Sequence, residues 1–220
     1  MGRLLDIITP LHTKTVRDYL ARMTDDKVSC MKVARRYDRD FWDGHRRYGY
    51  GGYRYDGRWR QVAAALIKTY NLPDNAQILD VGCGKGFLLY EFKQLLPECT
   101  VTGFDISQYA IDNAKEEIRP CLSIHNAAVP YPYGDREFDL VISITTLHNL
   151  PVYALKNALR EIERVGKNKY VAVESYDSEE QLFNLQCWAL TCESFYKTRE
   201  WIWIYNEFGY TGDYEFIYFD

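Results

Sequence analysis

The sequence predicts an α/β fold built on a mostly parallel sheet with helices on both faces, and three observations predict it. From about residue 76 onward, short apolar β-branched runs alternate with longer amphipathic stretches, the order expected when each strand is followed by a crossover helix. The first run, Ile78-Leu79-Asp80-Val81, enters a glycine turn, Gly82-Cys83-Gly84-Lys85-Gly86, that opens a helical segment. The chain has 220 residues, 47% hydrophobic and 26% charged, which suffices for one domain with its own core and a modest appendage.

Each element follows from local pattern. Strands are expected at 77–81, 100–104, 121–124, 138–144, 169–174 and 214–219, each short, apolar and bounded by turn formers. Helices are expected at 86–96, at 107–118 with Ser107 as cap, at 152–165 ended by Gly166, at 179–195, and at 198–208 ended by Gly209. Before the first strand, 58–70 reads as a helix stopped by Asn71-Leu72-Pro73, and 26–36 as another. No internal repeat is present, and the one low-complexity tract is 48–57.

Composition narrows the function. With 27 Lys+Arg against 31 Asp+Glu the formal charge is −4, so no global positive field favours nucleic acid, and no nucleic-acid partner is expected. No run is apolar for long enough to span a membrane, and residues 1–10 lack the pattern of a secretory signal; the cytoplasm is the expected compartment. The six cysteines form no C-x-x-C pair and have no histidine at metal-ligand spacing, so they are expected to be reduced, mostly buried thiols, and no metal is expected. Aromatic residues make up 15% of the chain, with 19 Tyr and 5 Trp, which calls for walls that are both apolar and hydrogen-bonding.

The glycine turn carries the strongest chemical signal. Glycines there admit positive φ and let a ligand meet backbone N–H groups without a Cβ in the way. A dinucleotide fingerprint, G-x-G-x-x-G/A, requires a small residue at position 87, whereas the chain has Phe87 and spaces its glycines as G-x-G-x-G. A pyrophosphate is poorly served by that turn. Asp105 ends the second strand, where its carboxylate falls beside the turn and suits a ribose diol.

Residues 78–86 resemble motif I of the class I methyltransferases that use S-adenosylmethionine, and later segments agree in order. Val101-Thr102-Gly103-Phe104-Asp105-Ile106-Ser107 resembles the family's second strand with its ribose-binding acid. Asn126-Ala127 stands where the family often has Asp-Ala against the adenine. The stretch 129–139 is similar to the L-P-F-x-D-x-x-F-D approach to the fourth strand, and Ser143 to Leu150 is similar to S-x-x-x-L-H-H-L, with Asn149 in place of the second His. The resemblance runs from about 76 to 180. It implies a Rossmann-like domain over 76–220, preceded over 1–75 by an N-terminal helical and aromatic lid, with S-adenosylmethionine as cofactor and S-adenosylhomocysteine as product. Asp80, Gly82, Cys83, Gly84 and Gly86 would surround the methionine end, Asp105 and Ile106 the ribose, and Asn126 and Ala127 the adenine, with Thr145 at the end of the fourth strand. Cys83 is expected to serve as a small packing residue rather than a nucleophile.

On the acceptor side, His148 follows the fourth strand and has an ordinary pKa suited to taking a proton near neutrality; the alternative is a hydrogen-bonded wall residue. Glu174 ends the fifth strand and could take a proton or bind an ammonium, or serve in a cap or ion pair. Residues 35–60 hold eight arginines against four aspartates, a local charge of +4. Arginine forks grip phosphate or carboxylate in a bidentate way, so Arg46, Arg47, Arg54 and Arg58, with Tyr50, Tyr53 and Tyr176, are the candidate contacts to a small anionic acceptor. A solvated Arg-Tyr loop and a single-stranded RNA platform are the alternatives for this segment. The rivals for the whole chain are a nicotinamide-dependent oxidoreductase, disfavoured by Phe87, and a cofactor- or RNA-binding module without turnover. Sequence leaves the acceptor, the methylated atom and the oligomeric state open.

Overall fold

A computed structural model describes residues 2–220. Helices α1 (Thr9–His12), α2 (Tyr19–Thr24), α3 (Lys27–Ala34), α4 (Arg39–Trp42) and α5 (Arg60–Tyr70) precede the sheet. Then come β1 (Gln77–Val81), α6 (Phe87–Leu95), β2 (Thr100–Asp105), α7 (Gln108–Asp112), β3 (Leu122–Ile124), β4 (Phe138–Ile144) and α8 (Val152–Val165). The chain closes with β5 (Gly166–Glu174), α9 (Glu179–Trp188), α10 (Thr198–Phe208) and β6 (Asp213–Ile217). The sheet has six strands in the order β3-β2-β1-β4-β5-β6, and every neighbouring pair is parallel. Strand order reverses between β1 and β4, which opens a crevice at their carboxyl ends.

Both faces are covered, which explains why the central strands are apolar at nearly every position. Ile78, Ile142, Tyr170 and Ala172 pack with Val62, Leu66 and Phe92 on one face. Leu79, Val141, Val171 and Val173 pack with Leu155, Leu159, Ile162 and Trp201 on the other. Ile8, Val62 and Leu66 belong to the same apolar cluster as Ile78, so the N-terminal segment and the sheet share a core. No helix among the described residues is long and apolar enough to cross a membrane.

Two helix ends differ from the sequence expectation. Ser107 caps α7 as expected, with the Ala110 N–H donating to its Oγ at 3.0 Å, but the helix stops at Asp112 rather than near 118. There the Asn113 side-chain amide donates to the Tyr109 carbonyl, a local bond that competes with helix continuation. Helix α9 stops at Trp188 rather than 195, because the Glu193 and Ser194 N–H groups donate to the His148 carbonyl instead of a preceding turn. Gly166 does end α8, yet in extended geometry; its small size is needed because a Cβ would sit 2.8 Å from Val141 Cγ2.

The N-terminal segment is tied to β6. Leu5 N–H donates to the Tyr214 carbonyl and Tyr214 N–H to the Arg3 carbonyl, so residues 3–5 cover the open edge of the sheet. The buried Glu215 carboxylate then accepts from the N–H groups of Ile7, Ile8 and Thr9, from the Thr9 hydroxyl and from the Tyr170 phenol. A distant acid thus satisfies the start of α1 and sends the chain back over the carboxyl ends of the strands. Glu215→Ala is expected to cost about 3–5 kcal/mol in chemical denaturation, because several buried donors lose one acceptor. Limited proteolysis should then cut the first 24 residues before the sheet unfolds; equal protection of both parts would show that the anchor lies elsewhere.

Candidate active site

The turn after β1 is held by its neighbours' backbone. Gly82 and Cys83 donate their N–H groups to the Phe104 carbonyl, and Gly84 N–H donates to Asp105 Oδ2 at 2.8 Å. Gly82 has φ +80° and Gly84 φ +54°. A Cβ on Gly82 would lie 2.2 Å from Thr146 Oγ1, and one on Gly84 would lie 2.9 Å from Trp42 Cη2, so both sites require glycine for space as well as conformation. Asp105 is buried, and its second oxygen accepts the Ser107 N–H at 2.8 Å. Burial raises its pKa against the pull of these N–H groups. Asp80 is also buried and lacks any hydrogen-bond donor among the described residues. Its pKa is pushed up to about 7 by burial and by the charge of Asp105. The Cys83 thiol is pushed far up by burial and by the two acids, so it stays protonated and packs against Gly103.

Across the crevice, His148 and Glu174 form a pair. The Glu174 N–H donates to His148 Nδ1 at 3.3 Å, so the neutral ring carries its proton on Nε2, which lies 3.3 Å from Glu174 Oε2. Burial lowers the His148 pKa and the Glu174 charge opposes that fall, leaving the imidazole neutral near pH 7. Both ring nitrogens therefore face Glu174, and both residues line the cavity, with the Glu174 side chain the more exposed of the two. Asn149 Oδ1 is buried without a donor, while its amide donates to the Thr145 carbonyl. Thr145 has φ +54°, a strained conformation for a β-branched residue.

The segment from Tyr37 to Trp59 lies over the glycine turn. Trp42 donates its indole N–H to Ser107 Oγ at 2.8 Å and stacks on Tyr50, with centroids 5.3 Å apart and planes 9° off parallel. Tyr53 stacks on Phe87 at 5.2 Å, so the ring at position 87 has a partner. The Lys85 ammonium donates to Asp43 Oδ2 at 2.7 Å and to the Tyr53 carbonyl at 2.9 Å, binding the segment to the turn. Burial raises the Tyr50 phenol to about 12 and Tyr53 further.

One cavity of about 370 Å³ collects most of the expected residues. Asp80, Gly82, Cys83, Gly84, Thr145, His148 and Glu174 line it, and so do Arg46, Tyr50, Tyr53, Arg54 and Arg58. Gly86 is buried beneath the turn, and Asp105 lies behind Trp42 and Ser107. Ile106, Asn126 and Ala127 fall outside this cavity, on the side of β2 and β3, with Ile106 and Asn126 exposed. Two substrate candidates are not brought in. Arg47 turns away to pair with Asp25 at 2.7 Å, and Tyr176 forms a backbone bridge with Lys197, whose ammonium lies over its ring. Arg58 lines the cavity but is already paired with Asp56. Sequence reasoning missed Arg17, Arg22 and Trp188, which also line the wall. Trp188 shares a helical stripe with Leu182 and Leu185, which is the spacing of a core residue, and no spacing marks the two arginines.

A family model described as a methyltransferase domain matches residues 72–209. The chain belongs to the methyltransferase domain family. Its domain is of the class I, Rossmann-like, S-adenosylmethionine-dependent kind. Among relatives, the domain is 31% identical over 124 residues to the mitochondrial arginine-hydroxylase NDUFAF5 of Homo sapiens, covering 54% of this chain and 34% of that protein. It is 34% identical over 115 residues to an uncharacterized methyltransferase, C1B3.06c, of Schizosaccharomyces pombe, covering 46% and 40%. The chain thus spans well under half the length of either protein. The solved YcgJ protein of Bacillus subtilis shares the fold, with a TM-score of 0.53 at 18% identity over 66% of each chain.

The raised pKa of Asp80 gives the methyltransferase domain a pH signature. Its folded-state value, about 7, lies above the ordinary aspartate value of 3.8, so the stability it confers is full below pH 3.8 and is lost as pH rises through about 7. Asp80→Asn should remove that loss. The melting temperature of the variant relative to the natural protein should climb between about pH 4 and pH 8 in cofactor-free protein. A difference independent of pH would mean that Asp80 does not titrate in this window.

Proposed function

We propose that this protein transfers a methyl group from S-adenosylmethionine to a small acceptor bearing an anionic group, with Glu174 receiving the acceptor's proton. The observation that carries this is the shared cavity: the Glu174 carboxylate faces the same space as Asp80 and the glycine turn. When bound, S-adenosylmethionine supplies an electrophilic sulfonium methyl and is released as S-adenosylhomocysteine. The residues present fit it. Asp80 offers a buried carboxylate without a donor, suited to the methionine ammonium, and Gly82 and Gly84 line the cavity beside it. Asp105 suits the ribose diol, and Ile106, Asn126 and Ala127 the adenine edge. Trp42 lies between the cavity and Asp105, which supports a lid role for residues 37–59.

His148 acts as a positioning residue in this scheme: its imidazole holds the Glu174 side chain while its carbonyl anchors residues 193–194. Arg46 and Arg54 supply positive charge at the wall, with Tyr50 and Tyr53 as apolar surface. Arg47 and Tyr176 leave the substrate set. The free thiols of all six cysteines support a reducing compartment, in keeping with the cytoplasm.

Calorimetry separates the two cofactor acids. Asp105→Ala should weaken both S-adenosylmethionine and adenosine by about thirtyfold, the equivalent of about 2 kcal/mol of charged hydrogen bonding, whereas Asp80→Asn should weaken only the former. Loss of adenosine binding in the Asp80 variant would reverse the assignment.

Turnover tests Glu174. With tritiated methyl groups and a panel of hydroxyl- and amine-bearing carboxylates and phosphates, Glu174→Gln should cut the rate about 10²–10⁴-fold and leave cofactor affinity within about twofold. His148→Ala should cost less, about tenfold, since the carboxylate remains. A near-normal rate in Glu174→Gln beside a lost rate in His148→Ala would assign the base to the imidazole.

A further inference from the structure

We infer that Arg17, Arg22 and Arg46, gathered around Trp188, form the binding site for an oxyanion group, phosphate or carboxylate, on the methyl acceptor. The inference rests on the methyltransferase reading above and names the part of the acceptor that the wall opposite the glycine turn would hold.

The guanidinium carbons of Arg22, Arg46 and Arg17 lie 4.8, 4.9 and 5.4 Å from the centroid of the Trp188 indole, and that of Arg17 lies 5.2 Å from the Phe219 ring. All line the cavity that Glu174 faces. None of the three forms an ion pair with a carboxylate among the described residues. Arg22 donates to the Trp188 and Arg46 carbonyls, Arg46 to those of Gly49 and Tyr50, and Arg17 to those of His12 and Thr15 and to His12 Nδ1. Arg17 Nε is buried and donates to nothing. Arg47, the next residue in the chain after Arg46, is by contrast neutralised by Asp25.

Three like charges around one ring oppose one another. Burial and the charge of Arg46 lower Arg22 to about 10, and burial lowers Arg17 and Arg46 as well. His12 is held neutral, with a pKa of about 4, so it adds no charge and compensates none. Ring faces and carbonyl oxygens give guanidinium planes an orientation but no counter-charge, and Glu174 and Asp25, whose charges reach Arg17 and Arg22, form no ion pair with them. A bound oxyanion would supply the counter-charge, and forked N–H pairs fit it in a bidentate way.

Position assigns this anion to the acceptor rather than to the cofactor. Trp188 ends α9 and Phe219 follows β6, the strand at the sheet's edge, while the glycine turn follows β1, three strands away and so roughly 14 Å across the sheet. Glu174 ends β5, between the two. An acceptor gripped at Trp188 would therefore extend its nucleophilic atom past Glu174 toward β1.

Isothermal calorimetry on the full chain, with inorganic phosphate and separately with malonate at matched ionic strength, tests this with and without saturating S-adenosylmethionine. At least one anion should bind at one site with the cofactor present, and the tighter of the two identifies the group as phosphate or carboxylate. Arg17→Gln and Arg46→Gln should each weaken that anion about ten- to a hundredfold. In oxyanion-free chloride buffer Arg46→Gln should melt within a few degrees of the natural protein, because loss of a repulsive charge offsets loss of its bonds to the Gly49 and Tyr50 carbonyls; a marked fall in both variants would make the cluster a structural one and overturn the inference. Absence of binding by both anions in the natural protein while S-adenosylmethionine still binds would overturn it and leave the methyltransferase reading standing. Competition between the anion and S-adenosylmethionine would assign the arginines to the cofactor's carboxylate and likewise overturn it. Failure of S-adenosylmethionine itself to bind would overturn the proposed function.

Discussion

The carboxylate of Asp105 is the point on which the site is built. With one oxygen it takes the N–H of Gly84 and with the other that of Ser107, so a single buried acid fixes both the turn after β1 and the start of α7. Ser107 in turn accepts the indole N–H of Trp42, which brings the N-terminal segment down on the turn. Burial and the same charge raise the pKa of Asp80. An arrangement with two buried carboxylates and no cation between them favours the arrival of a positive group.

A second buried acid does comparable work at the far edge of the sheet. Glu215 gathers the N–H groups that begin α1 and the phenol of Tyr170, at the place where residues 3–5 have just covered the edge of β6. The first 75 residues are thereby folded against the sheet's carboxyl edge, and Ile8 enters the same core as Ile78 and Tyr170. Lys85 completes the closure by pairing with Asp43 beneath Tyr53. Segment and turn are held from both ends.

Much of this was legible in the sequence. The strands were, because buried parallel strands are apolar at nearly every position and are separated by turn formers. Two helix ends were not, since the side-chain amide of Asn113 and the carbonyl of His148 decide them, and the second is a contact between residues far apart in sequence. The turn was legible because glycine spacing records backbone conformation directly. The strand order, by contrast, is common to dinucleotide-binding and methyltransferase domains, so the distinction lay in one residue, Phe87, whose ring is occupied by Tyr53. Arginines were the least legible. Arg46 and Arg47 are neighbours of identical type, yet one faces Trp188 and the other Asp25, and only the tertiary path of the chain determines which. His148 was visible as a candidate, but its tautomer and its engagement with Glu174 depend on a backbone N–H from another strand.

The charges around the cavity are segregated, and that segregation has a consequence for selectivity. Asp80 and Glu174 stand at the ends of β1 and β5, whereas Arg17, Arg22 and Arg46 gather at Trp188; with Arg58 paired to Asp56, a field runs from the Trp188 arginines toward the two acids, and Arg54 adds a further positive charge on the wall. A dipolar guest is aligned by such a field before any close contact is made, and the reversed orientation would set an anion against two carboxylates. The chain as a whole carries a formal charge of −4, which repels anions at long range, but within a Debye length the arginine-rich wall prevails. At Arg17 one buried N–H still lacks an acceptor. Orientation is thus set by where the uncompensated donors lie, and shape, supplied by Tyr50, Tyr53 and Trp188, selects among the guests that the field has already aligned.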